Sequence, residues 1–213
     1  ASGAGKSTLM RMIYGNYLAA SGHIWVGETD VAAANPREIL ELRRHTLGYV
    51  SQFLRVVPRV PTLEVVAEPL LSVGTPKAEA MARAEDLLTR LNIPRTLWGL
   101  SPTTFSGGEQ QRVNIARGFA HAYPAMLLDE PTQGMGHEDV DVVADLIKKV
   151  SKDRTILMVE HNLHVVSKLA DRITVLQRGA ILTEGNYETV SADPRVKEAY
   201  LGVAADEAGE AAA

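Results

Sequence analysis

The chain has 213 residues, 46% apolar and 23% charged, with 22 Lys and Arg against 26 Asp and Glu for a formal net charge of −4. That apolar share excludes a disordered chain, and the acidic balance offers no overall basic field, so no direct nucleic-acid partner is expected. The lack of cysteine excludes disulfide frameworks, thiol catalysis and cysteine-based zinc sites, and no apolar run approaches the roughly 18 residues of a spanning helix. The expectation is a cytoplasmic protein built as one α/β unit with an inserted lobe.

In chain order, Ala1-Ser2-Gly3-Ala4-Gly5-Lys6-Ser7-Thr8 runs directly into Leu9-Met10-Arg11-Met12-Ile13, which is apolar at helical spacing. No strand precedes this octapeptide, so the domain is expected to be N-terminally truncated. Strands are predicted over 23–26, 46–51, 125–129, 154–159, 172–177 and 180–183, alternating with helices as in an α/β sheet. Met126-Leu127-Leu128 and Ile156-Leu157-Met158-Val159 lack alternation, the pattern of strands covered on both faces. The last two strands turn at Arg178-Gly179 and read as a hairpin near the sheet's edge. The stretch 58–117 has no strand signal. It carries helices over 63–71 and 77–91, the second with Met81, Ala84, Leu88 and Leu91 on one face and Pro94 beyond its end. It reads as a helical subdomain, about residues 53–118, inserted into a domain spanning 1–202. Residues 203–213 form an Ala/Glu/Asp/Gly tail without periodicity, expected to be disordered.

Three motifs carry chemistry. Gly3-Ala4-Gly5-Lys6-Ser7 matches the end of the phosphate loop G-x-x-x-x-G-K-[ST], whose first Gly would fall one position before Ala1. Backbone amides along Ser2, Gly3, Ala4, Gly5, Lys6, Ser7 and Thr8 would approach phosphate oxygens, and the following helix adds its partially positive N-terminus. Lys6 would neutralise β/γ oxygens and the Ser7 hydroxyl would complete a Mg²⁺ shell. A flexible helix cap with an incidental lysine is the competing reading. In Met126-Leu127-Leu128-Asp129-Glu130-Pro131 an apolar strand ends in acids at the sheet's C-terminal edge, where ligands bind in open α/β sheets. Asp129 suits a water-mediated Mg²⁺ contact and Glu130 suits orienting or deprotonating an attacking water. In Phe105-Ser106-Gly107-Gly108-Glu109-Gln110-Gln111-Arg112, Ser106 and Glu109 have capping-box spacing, and two glycines leave a bare helix N-terminus suited to a phosphate. An ordinary well-capped helix is the alternative there.

Together with a later strand closing on Glu160-His161, these motifs occur in the order found in the ATP-binding subunits of the ATP-binding-cassette (ABC) class. The chain resembles that class over roughly residues 1–202. The resemblance implies a P-loop NTPase fold with an ABC-type sheet core, ATP and Mg²⁺ as ligands, and ATP hydrolysis. It implies that Gln52 touches Mg²⁺ and the attacking water, and that His161 contacts the γ-phosphate. Ser106, Gly107 and Gly108, with Glu109 behind them, would face ATP held by a second ABC subunit in a head-to-tail dimer. A lone Gln or His at these places would otherwise read as solvated or locally bonded. His161 and His164 lack a third zinc ligand, and Trp25 and Trp98 read as packing residues.

Two subfamilies are resembled. Residues 1–132 are similar to the ATPase of the phosphonate carbon–phosphorus lyase system, through Tyr14-Gly15-Asn16-Tyr17, Tyr49-Val50-Ser51-Gln52-Phe53-Leu54-Arg55-Val56 and the stretch from Thr104 to Phe119. Residues 133–202 are similar to branched-chain amino-acid and urea importer ATPases, through Gln133-Gly134-Met135-Gly136, Met158-Val159-Glu160-His161-Asn162 and the stretch from Asp193 to Gly202. A recombined chain joined at the D-E-P motif is one reading of that change. The implied partner is either a membrane permease, with the protein peripheral at the inner face of the cell membrane, or a soluble phosphonate-lyase complex. Gly136 stands where most of the class has Asp. A catalytically incompetent fragment acting as a binding module is the competing function; a kinase sharing the phosphate loop would have no use for Ser-Gly-Gly.

Overall fold

The computed structural model describes residues 5–201, so the expected phosphate contacts of Ser2, Gly3 and Ala4 and the expected tail 203–213 lie outside the described residues. Helix α1 (Lys6–Ile13) starts immediately after Gly5, which sits at φ +89°, a backbone region glycine enters without steric cost. Two-residue strands β1 (Trp25–Val26) and β2 (Thr29–Asp30) pair as a small hairpin. The strand expected over 23–26 is thus half as long: it ends at Val26 as expected, before the turn through Gly27 at φ +58°, but residues 23 and 24 stay outside the β1–β2 pairing. Trp25 is 65% exposed, contrary to the packing role expected for it, whereas Trp98 is buried and donates its indole N–H to the Ile93 carbonyl at 3.0 Å.

Helix α2 (Pro36–His45) opens on a capping box from Asn35 and Glu38 and leads into β3 (Leu47–Val50). Between β3 and the next strand the described elements are all helical: α3 (Thr62–Ser72), α4 (Lys77–Arg90) and α5 (Gly107–Ala120), with two short 3₁₀ turns. There follow β4 (Ala125–Asp129), α6 (His137–Val150), β5 (Thr155–Val159), α7 (Leu163–Leu169), the antiparallel pair β6 (Ile173–Gln177) and β7 (Ala180–Gly185), α8 (Tyr187–Ala192) and α9 (Pro194–Leu201).

β3, β4 and β5 form a parallel sheet with β4 in the middle, Tyr49 opposite Leu127 and Asp129 opposite Val159. Strand period two sends alternate β4 side chains to opposite faces. Met126 and Leu128 join a large core with Val66, Leu88, Val113, Phe119 and Ile147, while Leu127 joins Met10, Val31, Leu42 and Leu47 beneath α1 and α2. Helix α5 lies close on β3 because position 118 is Gly: a Cβ there would come within 2.3 Å of Val50 Cγ2. β5 departs from the two-face cover its apolar run suggested. Leu157 is 43% exposed, and among the described residues β5 pairs only with β4, so one edge of it has no neighbour to shield that side chain.

Candidate functional site

The parity that directs Leu127 toward α1 directs Asp129, two residues on, to the same side. Asp129 is 1% exposed at the C-terminal end of β4. A buried carboxylate is costly unless hydrogen-bonded, and both of its oxygens have donors. Ser7 Oγ donates to Oδ1 at 3.0 Å and the Tyr49 hydroxyl donates to Oδ2 at 3.1 Å. Burial, then the nearby Asp129 charge, pushes the Tyr49 phenol up to about 12, which keeps it a donor. α1 has no side-chain cap and no acid in its first turn, so the turn holding Lys6, Ser7 and Thr8 presents an electropositive end. The donor set fits Mg²⁺: a hydroxyl and a buried carboxylate are hard oxygen ligands, and this ion is held by one or two carboxylates together with substrate phosphates.

Glu130 adopts φ +50°, a left-handed geometry costing a non-glycine residue on the order of 1–3 kcal/mol. Its N–H is tied to the Val159 carbonyl at 2.9 Å, and its own carbonyl accepts from Gln111 Nε2 at 3.4 Å. Held this way, Oε2 of Glu130 accepts from Gln52 Nε2 at 3.2 Å and lies 3.8 Å from His161 Nδ1. Gln52, Glu130 and His161 therefore converge on one carboxylate oxygen. Glu130 is largely covered, while the His161 side chain is 62% exposed.

Ser106 and Glu109 form the expected capping box: Ser106 N–H donates to Glu109 Oε2 at 2.9 Å and Glu109 N–H to Ser106 Oγ at 3.3 Å. Bonds from the Ser106 side chain and backbone hold the Glu109 carboxyl below its ordinary range. These bonds stay within the cap, and Ser106 and Gly107 are exposed, so this motif faces outward instead of joining Ser7 and Asp129. It is packed against the loop after the D-E-P motif, since a Cβ on Gly108 would come 3.2 Å from the Gly134 carbonyl. One turn further, Arg112 pairs with Asp139 of α6.

Three supporting residues carry no site role in the sequence reading. Glu160 Oε1 accepts from Thr132 N (2.9 Å) and Oγ1 (2.5 Å), and its Oε2 accepts from His161 N (3.0 Å) and Asn162 N (3.1 Å). It thereby staples the loop after β4 to the loop carrying His161. Asn114 Nδ2 donates to the Ser51 carbonyl at 2.6 Å, bracing the segment before Gln52. Tyr49 is the third. An acid ending a strand was a usable signal for Glu160; nothing in the one-dimensional pattern marks Asn114. His164 bonds Asp141 at 3.0 Å.

The ABC transporter family matches residues 1–133, and the chain belongs to it. The sheet and the inserted helices are those of an α/β P-loop NTPase of ABC type. A second family, described as branched-chain amino acid ATP-binding cassette transporter, matches residues 180–206. The chain is 36% identical over 196 residues to the methionine import ATP-binding protein MetN of Rhodopseudomonas palustris strain BisA53, covering 91% of this chain and 52% of that protein. It is likewise 36% identical to the MetN protein of Caulobacter vibrioides, covering 91% and 58%. The chain thus spans about half the length of the curated relatives it matches. Each alignment runs across the D-E-P junction, and these relatives lend no support to the phosphonate resemblance of residues 1–132. In structure the chain is similar to the dimeric ATP-binding cassette MJ0796 bound to ADP and Pi, with a TM-score of 0.82, 28% identity and coverage of 88% of this chain and 82% of that one.

Proposed function

We propose that the chain is the ATP-binding and ATP-hydrolysing subunit of an ABC importer, working as a head-to-tail pair and driving a membrane permease. The observation that carries this is the meeting of Gln52, Glu130 and His161 at one oxygen, beside the Ser7–Asp129 pair. The first turn of α1 and Lys6 hold the β- and γ-phosphates, with Ser7 and Asp129 as the residues that would hold Mg²⁺. When bound, that ion would supply positive charge to offset the phosphates. Glu130 orients a water for in-line attack on the γ-phosphorus and takes its proton as the new P–O bond forms. The bond to the β-phosphate oxygen breaks and ADP leaves. Gln52 fixes the Glu130 carboxylate, and His161 approaches the γ-phosphate from the exposed side.

The outward-facing Ser106–Glu109 cap is read as the surface that meets the nucleotide of a second subunit; MJ0796, the structural relative, is dimeric. Helices α3 and α4 belong to the segment read as the subdomain facing the permease. No helix of the described residues is long and apolar enough to cross a membrane, and the proposed place is the inner membrane face, bound to that permease. The names of the relatives favour an amino acid as cargo.

Titration with fluorescent ATP and a phosphate-release assay test the proposal. The Lys6→Ala variant should lose saturable binding. The Glu130→Gln variant should bind ATP but turn over about 10²–10⁴-fold more slowly. Turnover in Glu130→Gln equal to that of the parent chain, or binding without any turnover in the parent, would refute it; the second result would leave a non-catalytic nucleotide-binding module.

A further inference from the structure

We infer that Tyr49 is a positioning residue for the metal–nucleotide site, its hydroxyl holding the Asp129 carboxylate in the one rotation that aims Oδ1 at Ser7. This rests on the function proposed above. Tyr49 stands opposite Leu127 in the β3–β4 register, two residues short of Asp129 and on the same face. From there its hydroxyl reaches Oδ2 at 3.1 Å while Ser7 takes Oδ1 at 3.0 Å.

The ring is itself held. It packs on Tyr14 with centroids 4.9 Å apart, and Arg43 lies 4.5 Å over the Tyr14 ring and donates Nε to the Tyr14 carbonyl at 2.9 Å. A ring fixed in this way keeps the hydroxyl at Oδ2, where the buried carboxylate has a donor beside Ser7, and Arg11 stands on the phenol oxygen as a donor of its own. Without the hydroxyl, Oδ2 would lose this donor, and the carboxylate would be freer to rotate about its Cβ–Cγ bond. A metal ligand free to rotate loses order on binding, so affinity for the ion falls while affinity for the metal-free nucleotide does not.

The test is Mn²⁺ binding, read by electron paramagnetic resonance with a non-hydrolysable ATP analogue present, in the parent chain, Tyr49→Phe, Asp129→Asn and the double variant. Metal-free binding of fluorescent ATP is measured in parallel. Tyr49→Phe keeps the ring and its contact with Tyr14. It should weaken Mn²⁺ affinity by about tenfold or more, with metal-free nucleotide binding held and the melting temperature lowered only by the loss of one buried hydrogen bond. In the Asp129→Asn background the same change should add no further loss. Unchanged Mn²⁺ affinity in Tyr49→Phe overturns the inference, as does a loss of equal size in both backgrounds. A parent chain that binds nucleotide without any metal dependence overturns the proposed function and this inference with it, an outcome told apart from the others by the parent alone.

Discussion

Single side chains in this protein do two kinds of work, and Asp193 shows the simpler one. Its Oδ1 accepts from the Arg195 backbone N–H at 2.9 Å and from Arg195 Nε at 3.1 Å, and its Oδ2 accepts from Arg195 Nη2 at 2.8 Å, at the start of α9. The Arg195 side-chain bonds, foremost, hold the carboxyl down to about 2. Because this pKa is depressed on folding, the stability it contributes is present above the ordinary carboxylate range and is lost as pH falls through about 2. Arg195→Ala should return Asp193 toward its usual 3.8, as read by carboxyl-carbon NMR titration; a midpoint that stays near 2 would mean that the backbone bond suffices. Glu130 shows the other kind, a residue kept in a disfavoured backbone geometry where the chemistry is proposed. The identities of Asp129 and Glu130 were legible from an apolar run ending in acids. The left-handed turn was not, since it is imposed by the N–H bond to Val159, a residue on a different strand.

At the scale of elements, local chemistry explains most boundaries. α4 (Lys77–Arg90) ends one residue before its expected limit and α3 (Thr62–Ser72) extends one beyond at each end, while β4 matches its expected span. Helix α2 depends on its cap: Asn35 Oδ1 accepts from the amides of Arg37 and Glu38, and Glu38 returns a bond to the Asn35 N–H at 2.7 Å. Asn35→Ala should therefore destabilise the protein by about 0.5–2 kcal/mol, and Asn35→Gly by only a few tenths. A urea midpoint for Asn35→Ala equal to that of the parent chain would show that the cap bond contributes no stability. β5 is the instructive miss. An apolar run in a sequence reports what a strand can bury, and the neighbours that cover it come from elsewhere in the chain.

Across the whole molecule, the large core ignores the division suggested by the strandless stretch. Leu88 of α4 and Val66 of α3 share a buried cluster with Val50 and Leu128 of the sheet and with Ile147 of α6. Leu88 is fully buried, so Leu88→Ala should cost about 2–5 kcal/mol. The loss should appear in one cooperative unfolding transition reported alike by Trp98 fluorescence, in a Trp25→Phe background, and by far-ultraviolet circular dichroism. Two separated transitions would show that the helices and the sheet unfold independently.

What the sequence by itself determined was chemistry and order: a phosphate-loop ending, a Ser-Gly-Gly cap, acids closing an apolar strand, and a Gln and a His placed after strands. Those features depend on residue type and short spacing, which one dimension preserves. Tertiary structure alone decided that Gln52, Glu130 and His161 share an oxygen and that Ser7 and Tyr49, 122 and 80 residues away from Asp129, divide its carboxylate between them. It also decided that the Ser106 cap looks outward. The physical reason is parity and register. In a parallel sheet each strand's period of two chooses a face, but which strands lie side by side, and therefore which faces coincide, is set by the packing of helices far apart in the chain.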